Sequence, residues 1–241
     1  MRYENIKKAL FIERPNRFIA YAKLNEEIVK CHVKNTGRCR ELLIPEKAEI
    51  YLQDHGENTD RKTRYSLVKV IKGERIINMD SQAPNQIAFE WLKSGGLYDN
   101  ITFIKREKTY GNSRFDIYYE RGSDSDSSKK VKGFIEVKGV TLEEDNVARF
   151  PDAPTERGVK HIHELIDAKK AGYEANILFV IQMKNIDHFE PNNKTHKAFG
   201  DALLEAKNAG VNIFAIDCHV TENEVYAGNF VPVIIPHDIK Q

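Results

Sequence analysis

The sequence lacks long hydrophobic runs and has few cysteines. No stretch of its 241 residues approaches the roughly 20 apolar residues of a membrane-spanning helix, so we expect no membrane partner. The N-terminal segment MRYENIKKALF has neither the apolar run nor the small-residue cleavage site of a secretory signal. Cys31, Cys39 and Cys218 are odd in number and form no Cys-x-x-Cys pair, which argues against a disulfide framework and a zinc ribbon. We therefore expect a cytoplasmic protein.

Net charge is also low, but the charge is unevenly distributed. The formal net charge is +1. Residues 1–80 carry 17 Lys and Arg against 12 Asp and Glu, whereas residues 81–241 carry 20 against 24. A basic first part favours an anionic partner, and an acidic second part favours metal ligands. Ordinary surface charge would produce the same counts, so the motifs must distinguish these interpretations.

Short strands separated by turns are predicted between residues 10 and 80. Five segments show alternation or enrichment in β-branched residues: RFIAYAKL, EEIVKCHVK, AEIYLQDH, YSLVKVIKG and RIINMD. Segments such as NTGR and HGENTDRK supply turn residues between them. Five closely spaced strands with little helix predict a small barrel of the OB-fold type, although an SH3-like barrel fits the same pattern.

The pattern changes near residue 80, where we place the boundary between a domain of residues 1–80 and a domain of residues 81–241. A predicted helix in SQAPNQIAFEWLKSGGL is followed by three strands and then by alternating helices and strands. The order α-β-β-β-α-β-α-β predicts a mixed α/β (α+β) domain with antiparallel strands first and a crossover afterwards. The tract RGSDSDSSKK, residues 121–130, is predicted to be a solvated hairpin loop.

Charged residues interrupt two of these apolar strands. In GFIEVKGVTL, Glu136 and Lys138 are two residues apart and therefore share one face of a strand. The preceding strand, SRFDIYYE, carries Asp116. If residues 114–119 and 133–139 pair as a hairpin, Asp116 lies beside Glu136. Two adjacent carboxylates repel each other, and burying them is costly unless a cation is bound.

A hard divalent cation, Mg²⁺ or Mn²⁺, is the expected cofactor because it prefers carboxylate, carbonyl and water oxygens. The candidate ligands are Asp116, Glu136 and the carbonyl of Val137. Lys138 would lie beside the water on that ion, to orient or deprotonate it or to stabilise charge on a phosphate. Such a site could hydrolyse a phosphodiester. The alternative is a simple ion pair on a half-exposed sheet face.

The position of this D…ExK pattern within the α-β-β-β-α-β order resembles the PD-(D/E)xK nuclease fold. Phe115, rather than proline, precedes Asp116. Longer motifs, namely NTGR followed by ELLIP, SRFD at 113–116 and VKGVTLEEDNVARFPDAPTERGVKHIHEL at 137–165, resemble the sugar fermentation stimulation protein A family. The resemblance covers nearly the whole chain, and the acidic and lysine positions match without gaps at Asp116, Glu136 and Lys138.

This resemblance implies an N-terminal OB-like domain joined to a PD-(D/E)xK domain. It also implies DNA binding without sequence specificity and a regulatory role in sugar (maltose) metabolism. It leaves open whether the nuclease-like site cuts.

The helix after the longest motif is predicted to support the site. Thr155 is a candidate N-cap, and Arg157 and Lys160 are candidate phosphate contacts, with a solvated charged face as the alternative. His161 and His163 are two apart on a helix, so we do not expect them to share a metal ion. The other supporting candidates, for which a purely structural role is the alternative, are Asn85, Glu107, Arg114 and Gln182.

Basic residues of the first domain are candidate DNA ligands: Arg14, Arg17, Lys34, Arg38 and Arg40. Small barrels bind nucleic acid through a cationic groove and stacking aromatic residues. Phe11, Phe18 and Tyr21 are interleaved with the basic residues, although each can equally belong to the core. We expect phosphate contacts, and therefore salt-dependent binding with little base preference.

Three classes of function remain open on these residues. The chain is a metal-dependent DNA-processing enzyme, a non-catalytic DNA-binding regulator, or a protein-interaction module. The pattern does not distinguish DNA from RNA, or single from double strands. Several predicted strands are candidate sheet edges, so a homodimer also remains open.

Overall fold

A computed structural model of the chain describes residues 1–35, 37–57, 60–111, 113–123 and 129–236. Within these ranges a β-barrel is followed by an α+β domain, which confirms the predicted fold class. Thr36 of the NTGR motif, residues 58–59 of the second predicted turn and residues 124–128 of the predicted hairpin loop lie outside the described residues. In the described part of the chain, no helix is long and apolar enough to cross a membrane.

Six strands form the barrel: β1 (Ile6–Glu13), β2 (Ile19–Leu24), β3 (Glu27–Val33), β4 (Glu49–Asp54), β5 (Tyr65–Lys72) and β6 (Arg75–Asn78). Their order is β3-β2-β1-β4-β5-β6, and a parallel pairing of β3 with β5 closes the barrel. The five predicted strands are present. The additional strand, β1, escaped prediction because the exposed Lys7 and Lys8 obscure its alternation.

The second domain contains three helices, α1 (Ala83–Lys93), α2 (Glu156–Lys170) and α3 (Asn193–Asn208). Its main sheet contains β7 (Ile101–Tyr110), β8 (Ser113–Gly122), β9 (Lys130–Val140), β12 (Glu174–Ile181), β14 (Asn212–Val220) and β15 (Val225–Phe230). The order is β15-β14-β12-β9-β8-β7, with β7, β8 and β9 antiparallel and β9, β12 and β14 parallel. A small sheet of β10 (Leu142–Glu144), β11 (Val147–Phe150) and β13 (His188–Pro191) was not predicted.

Strand β9 lies in the middle of the main sheet and is covered on both faces. On one face Ile135 and Val137 belong to a cluster with Ile87 of α1, and on the other Phe134 belongs to a cluster with Leu165 of α2. Strands covered in this way are apolar along their length, as in parallel sheets of α/β proteins. A charged residue in this strand therefore requires a specific partner.

Buried polar contacts fix the barrel against the second domain. Glu143 of β10 forms ion pairs with Lys72 Nζ at 2.7 Å and with Arg75 Nη1 at 2.9 Å. Lys69 Nζ, in β5, donates hydrogen bonds to the carbonyl oxygens of Thr221 and Glu222 at 2.8 Å each. These contacts join β5 and β6 of the barrel to β10 and to the loop between β14 and β15.

Candidate active site

The β8–β9 hairpin brings Asp116 against the segment that carries Glu136. The paired ladder of the two strands ends at Ile117 and Ile135. Beyond it, Asp116 Oδ2 accepts a hydrogen bond from the backbone N–H of Val137 at 2.8 Å. The Asp116 carboxylate therefore accepts the hydrogen bond that a backbone carbonyl of β8 would accept in a continued ladder. The donor, Val137, is the residue that follows Glu136.

Asn85 holds the other oxygen of Asp116. Asn85 lies in the first turn of α1, and its Nδ2 donates a hydrogen bond to Asp116 Oδ1 at 2.7 Å. The N-cap of this helix is Gln82, which makes no side-chain capping bond. The side chain of Asn85 thus hydrogen-bonds the Asp116 carboxylate and does not cap the helix.

Glu136 is buried, and its two carboxylate oxygens have different surroundings. Its side chain is 4% exposed, and Oε1 is 2.7 Å from Lys138 Nζ and in contact with His161 Nδ1. Oε2 is buried and has no hydrogen-bond partner among the described residues. A buried acceptor without a partner is uncommon and costly, so Oε2 is the oxygen available to a ligand.

The two carboxyl groups are shifted in opposite directions. Burial, followed by the negative charge of Glu136, raises the pKa of Asp116. Burial alone would also raise the pKa of Glu136, but the hydrogen bond with His161 and the charge of Lys138 outweigh it and lower that pKa. Its surroundings therefore favour the ionised form of Glu136, whereas those of Asp116 favour the protonated form.

Lys138 shares the face of β9 with Glu136, as the strand period predicts. Its ammonium is ion-paired with Oε1 of Glu136, and only 13% of its side chain is exposed. An ammonium group has three donors and no lone pair. In this arrangement Lys138 can orient a water or stabilise charge on a phosphate.

His161 is the residue of the site that the sequence pattern did not indicate. It lies on the buried face of α2, and its Nδ1 contacts Glu136 Oε1. Its Nε2 accepts a hydrogen bond from Arg157 Nε at 3.3 Å. His163 points elsewhere, with its Nε2 3.4 Å from Glu205 Oε2, as expected for residues two apart on a helix.

The start of α2 is arranged as predicted. Thr155 is confirmed as the N-cap, since its Oγ1 accepts a hydrogen bond from the backbone N–H of Gly158 at 3.0 Å. Arg157, Lys160 and Arg114 line an open depression that also includes His161. Three cationic side chains thus lie on the solvent side of the histidine that contacts Glu136.

Two other supporting candidates have structural contacts instead. Gln182 is 1% exposed, and its Oε1 accepts a hydrogen bond from Asn78 Nδ2 at 2.8 Å, as expected of a satisfied core amide. Glu107 is an exposed residue of β7, with its Oε2 3.5 Å from Arg114 Nη1. These contacts agree with a structural interpretation of both residues, and their role in the site stays a prediction.

The pair of carboxylates fits a hard divalent cation. Two observations support the fit: Oε2 of Glu136 is buried without a hydrogen-bond partner among the described residues, and Glu136 is near enough to Asp116 for its charge to raise the pKa of Asp116. Within the described ranges, no three His, Cys, Asp or Glu side chains converge as a metal-binding group. The remaining ligands would therefore be the Val137 carbonyl and water, which suits Mg²⁺, an ion that commonly keeps several waters.

The barrel places three of the five predicted DNA ligands on an open groove. Arg17, Arg38 and Arg40 are exposed and line both a depression of about 570 Å³ and an adjoining one of about 520 Å³ that reaches Thr155. Among the described residues, no carboxylate forms an ion pair with these guanidinium groups. We call this surface the arginine groove.

The other two basic residues have structural roles. Arg14 donates hydrogen bonds to the backbone carbonyl oxygens of four residues, Arg17, Asn35, Gly37 and Arg38. Burial lowers the pKa of Arg14. Lys34 Nζ forms an ion pair with the buried Asp80 at 3.0 Å. Arg14 shapes the groove through these bonds and Lys34 pairs with Asp80, so both side chains are less accessible to a phosphate than the three exposed arginines, and their role as DNA ligands stays a prediction.

The three aromatic residues that were candidates for stacking differ in their exposure to solvent. Phe11 is buried in the core, whereas Phe18 is 56% exposed and Tyr21 is half-buried. Phe18 is thus the aromatic residue available for stacking on a base.

Comparisons with known proteins cover both domains. A family model described as the SfsA N-terminal OB domain matches residues 12–79, and one described as the sugar fermentation stimulation protein RE domain matches residues 82–224. A sugar fermentation stimulation protein homolog of Clostridium beijerinckii is 55% identical, over 98% of this chain and 100% of that protein. A homolog of Ruminiclostridium cellulolyticum is 57% identical, over 92% and 94%.

The fold is also found in a solved structure. SfsA of Pyrococcus furiosus, solved in complex with Ca²⁺, is 29% identical to this chain and superimposes with a TM-score of 0.84. The match covers 98% of each chain.

Proposed function

The chain belongs to the sugar fermentation stimulation protein family, and we propose that it binds DNA and hydrolyses phosphodiester bonds with Mg²⁺ or Mn²⁺. The observation that carries this proposal is the buried Oε2 of Glu136, which has no hydrogen-bond partner among the described residues, in the residue before Val137, whose backbone N–H binds Asp116. Burying two neighbouring acids costs stability, and a bound cation offsets that cost.

Each residue of the site has a separate task. Asp116, Glu136 and the Val137 carbonyl would hold the cation, which when bound neutralises phosphate charge and activates water. Asn85 and the Val137 N–H fix the Asp116 carboxylate. Lys138 orients the attacking water or stabilises the charge on the phosphate. The water oxygen forms the new bond to phosphorus while the bond to the leaving sugar oxygen breaks; one of the two water protons passes to the leaving oxygen, and the other stays on the phosphate or is released to solvent.

Two further observations support the proposal. The Pyrococcus furiosus relative was solved in complex with Ca²⁺, which favours a divalent cation in this chain as well. The arginine groove extends from the barrel to Thr155, and Arg157 lies in the first turn of the helix that carries His161. A nucleic acid strand bound along this groove would lead its phosphates towards the carboxylates.

A non-catalytic, DNA-binding regulator linked to sugar (maltose) metabolism is the second candidate. The family name refers to sugar fermentation, and Glu136 already has two cationic or hydrogen-bonding partners in Lys138 and His161. A carboxylate whose charge is balanced in this way can persist without catalysis. The same arginine groove would serve this function.

Incubation with single- and double-stranded DNA and RNA, in Mg²⁺, in Mn²⁺ and in chelator, tests these functions. Cleavage that requires the cation supports the enzyme. Salt-dependent binding without cleavage supports the regulator. Absence of binding at low salt supports a protein-interaction module instead.

A further inference from the structure

We propose that His161 is a positioning residue that holds the Glu136 carboxylate through Oε1 and so leaves Oε2 free for the cation. This inference rests on the proposed cation site, because it assigns the residue that orients one of its two acids. It concerns a contact between helix α2 and strand β9.

The contact places a rigid partner on one oxygen of a buried acid. His161 and Glu136 are 8% and 3% exposed, so water has little access to either side chain. The two donors nearest Glu136, Lys138 Nζ and His161 Nδ1, both lie on Oε1. The lysine stem is flexible, whereas the imidazole has two rotatable bonds and is packed against the sheet. His161 therefore fixes which oxygen stays open.

Arg157 determines which ring nitrogen of His161 carries the proton. Arg157 Nε donates a hydrogen bond to His161 Nε2 at 3.3 Å, so Nε2 must supply a lone pair. In the neutral ring the proton is then on Nδ1, and Nδ1 donates to Glu136. Partners of this kind orient the side chains that bind metal ions in many sites.

Close packing holds the start of α2 in place. A Cβ atom added at Gly158 would lie 2.8 Å from Thr155 Cγ2 and 3.2 Å from the ring of Phe199. Only glycine fits this contact without displacement of its neighbours. Because the first turn of α2 is fixed against α3, the ring of His161, one turn further on, is presented to Glu136 at a fixed angle.

Binding of Mn²⁺ to the full-length protein without DNA tests the inference, measured by calorimetry. His161→Leu fills a similar volume without the donor, and we expect its affinity to fall about 10- to 100-fold. His161→Asn places an amide N–H near the position of Nδ1, and we expect it to recover most of the affinity. His163→Leu, which removes an exposed histidine from the same helix, is the matched control and should bind like wild type.

Wild-type affinity in His161→Leu, or His161→Asn as weak as His161→Leu, would overturn the inference and leave the cation site standing. A wild-type protein that binds no Mn²⁺ would overturn the proposed function and the inference together. If His161→Leu does not fold, His161→Gln replaces it. Its amide reaches the Nε2 position, so we expect weaker binding than in His161→Asn, and equal affinity would count against His161.

Discussion

Asp116 Oδ2 accepts a hydrogen bond from the backbone N–H of Val137 at 2.8 Å, just beyond the end of the pairing between β8 and β9. The side chain of Asp116 takes the place of a backbone partner from β8. Because Val137 follows Glu136 directly, the bond brings the two acids close together. The arrangement is unfavourable in the absence of a cation, since the charge of Glu136 adds to burial in raising the pKa of Asp116. Two adjacent carboxylates thus lower the stability of the cation-free protein.

Removing the charge of Asp116 should stabilise the protein in chelator. Asp116→Asn keeps an acceptor for Val137, and rotation of the Asn85 amide supplies the second partner. We expect the melting temperature at pH 7 to rise by about 2–4 °C for about 1 kcal/mol of relief. Asp99→Asn, at an exposed acid, is the control and should not change it. A lower melting temperature in Asp116→Asn than in wild type would show that the carboxylate stabilises the apo fold.

The gain in stability that we expect from Asp116→Asn should depend on pH. The folded-state pKa of Asp116 lies above its ordinary value of 3.8, so the folded state binds the proton more tightly than the unfolded state. Wild-type stability contributed by Asp116 is therefore present below pH 3.8 and is lost as the pH rises through the folded-state pKa. The advantage of Asp116→Asn should be largest at neutral pH and shrink towards pH 3.8. An advantage independent of pH would exclude Asp116 as its source.

Divalent cations should stabilise the wild type and not the acid variants. A ligand at 100 times its dissociation constant adds about 2.7 kcal/mol to the free energy of unfolding. We expect Mn²⁺ to raise the melting temperature of wild type and to leave Asp116→Asn and Glu136→Gln unchanged. An equal rise in all three proteins would place the cation elsewhere.

The arginine groove should bind phosphates without regard to sequence. Replacing Arg17 or Arg38 with Ala should weaken binding to all DNA sequences and reduce the slope of log affinity against log salt by about 0.9 for each lost phosphate contact. Lys23→Ala, at a basic barrel residue paired with Glu26, is the control. Unchanged affinity and slope in both arginine variants would assign the DNA contact to another surface.

Arg14 should behave differently from its neighbours. Arg14→Met leaves backbone carbonyl oxygens, including those of Asn35 and Gly37, without their donor. We expect a loss of about 1–3 kcal/mol in the free energy of unfolding, measured by denaturant titration. Arg38→Ala should show no such loss. If Arg14→Met is as stable as wild type but binds DNA more weakly, Arg14 contacts phosphate and is not a structural residue.

The relationship between Asp116 and Glu136 was accessible from sequence because it depends on local features. Period-two alternation on two segments joined by a polar tract predicts a hairpin, and the pairing then follows. The N-cap role of Thr155 is equally local. The barrel and the order of elements followed from the same patterns.

Contacts between distant segments were not accessible. His161 contacts an acid 25 residues earlier, on another element, and a histidine in a helix rich in charged residues carries no signal of its partner. Arg14 and Arg38 look alike in the sequence, yet one is occupied by carbonyl oxygens and the other is exposed. The small sheet of β10, β11 and β13 consists of strands of three or four residues, too short for a detectable period.

Cleavage and binding measured on the same samples of wild type, Glu136→Gln and Lys138→Ala test the central claim most directly. We predict that wild type cuts DNA in Mg²⁺ or Mn²⁺ and not in chelator. Both variants should bind DNA as wild type does and lose cleavage by at least about 100-fold, the cost typical of removing one group that stabilises transition-state charge. Cleavage at the wild-type rate in both variants would contradict the assignment of Asp116, Glu136 and Lys138 as the reacting centre.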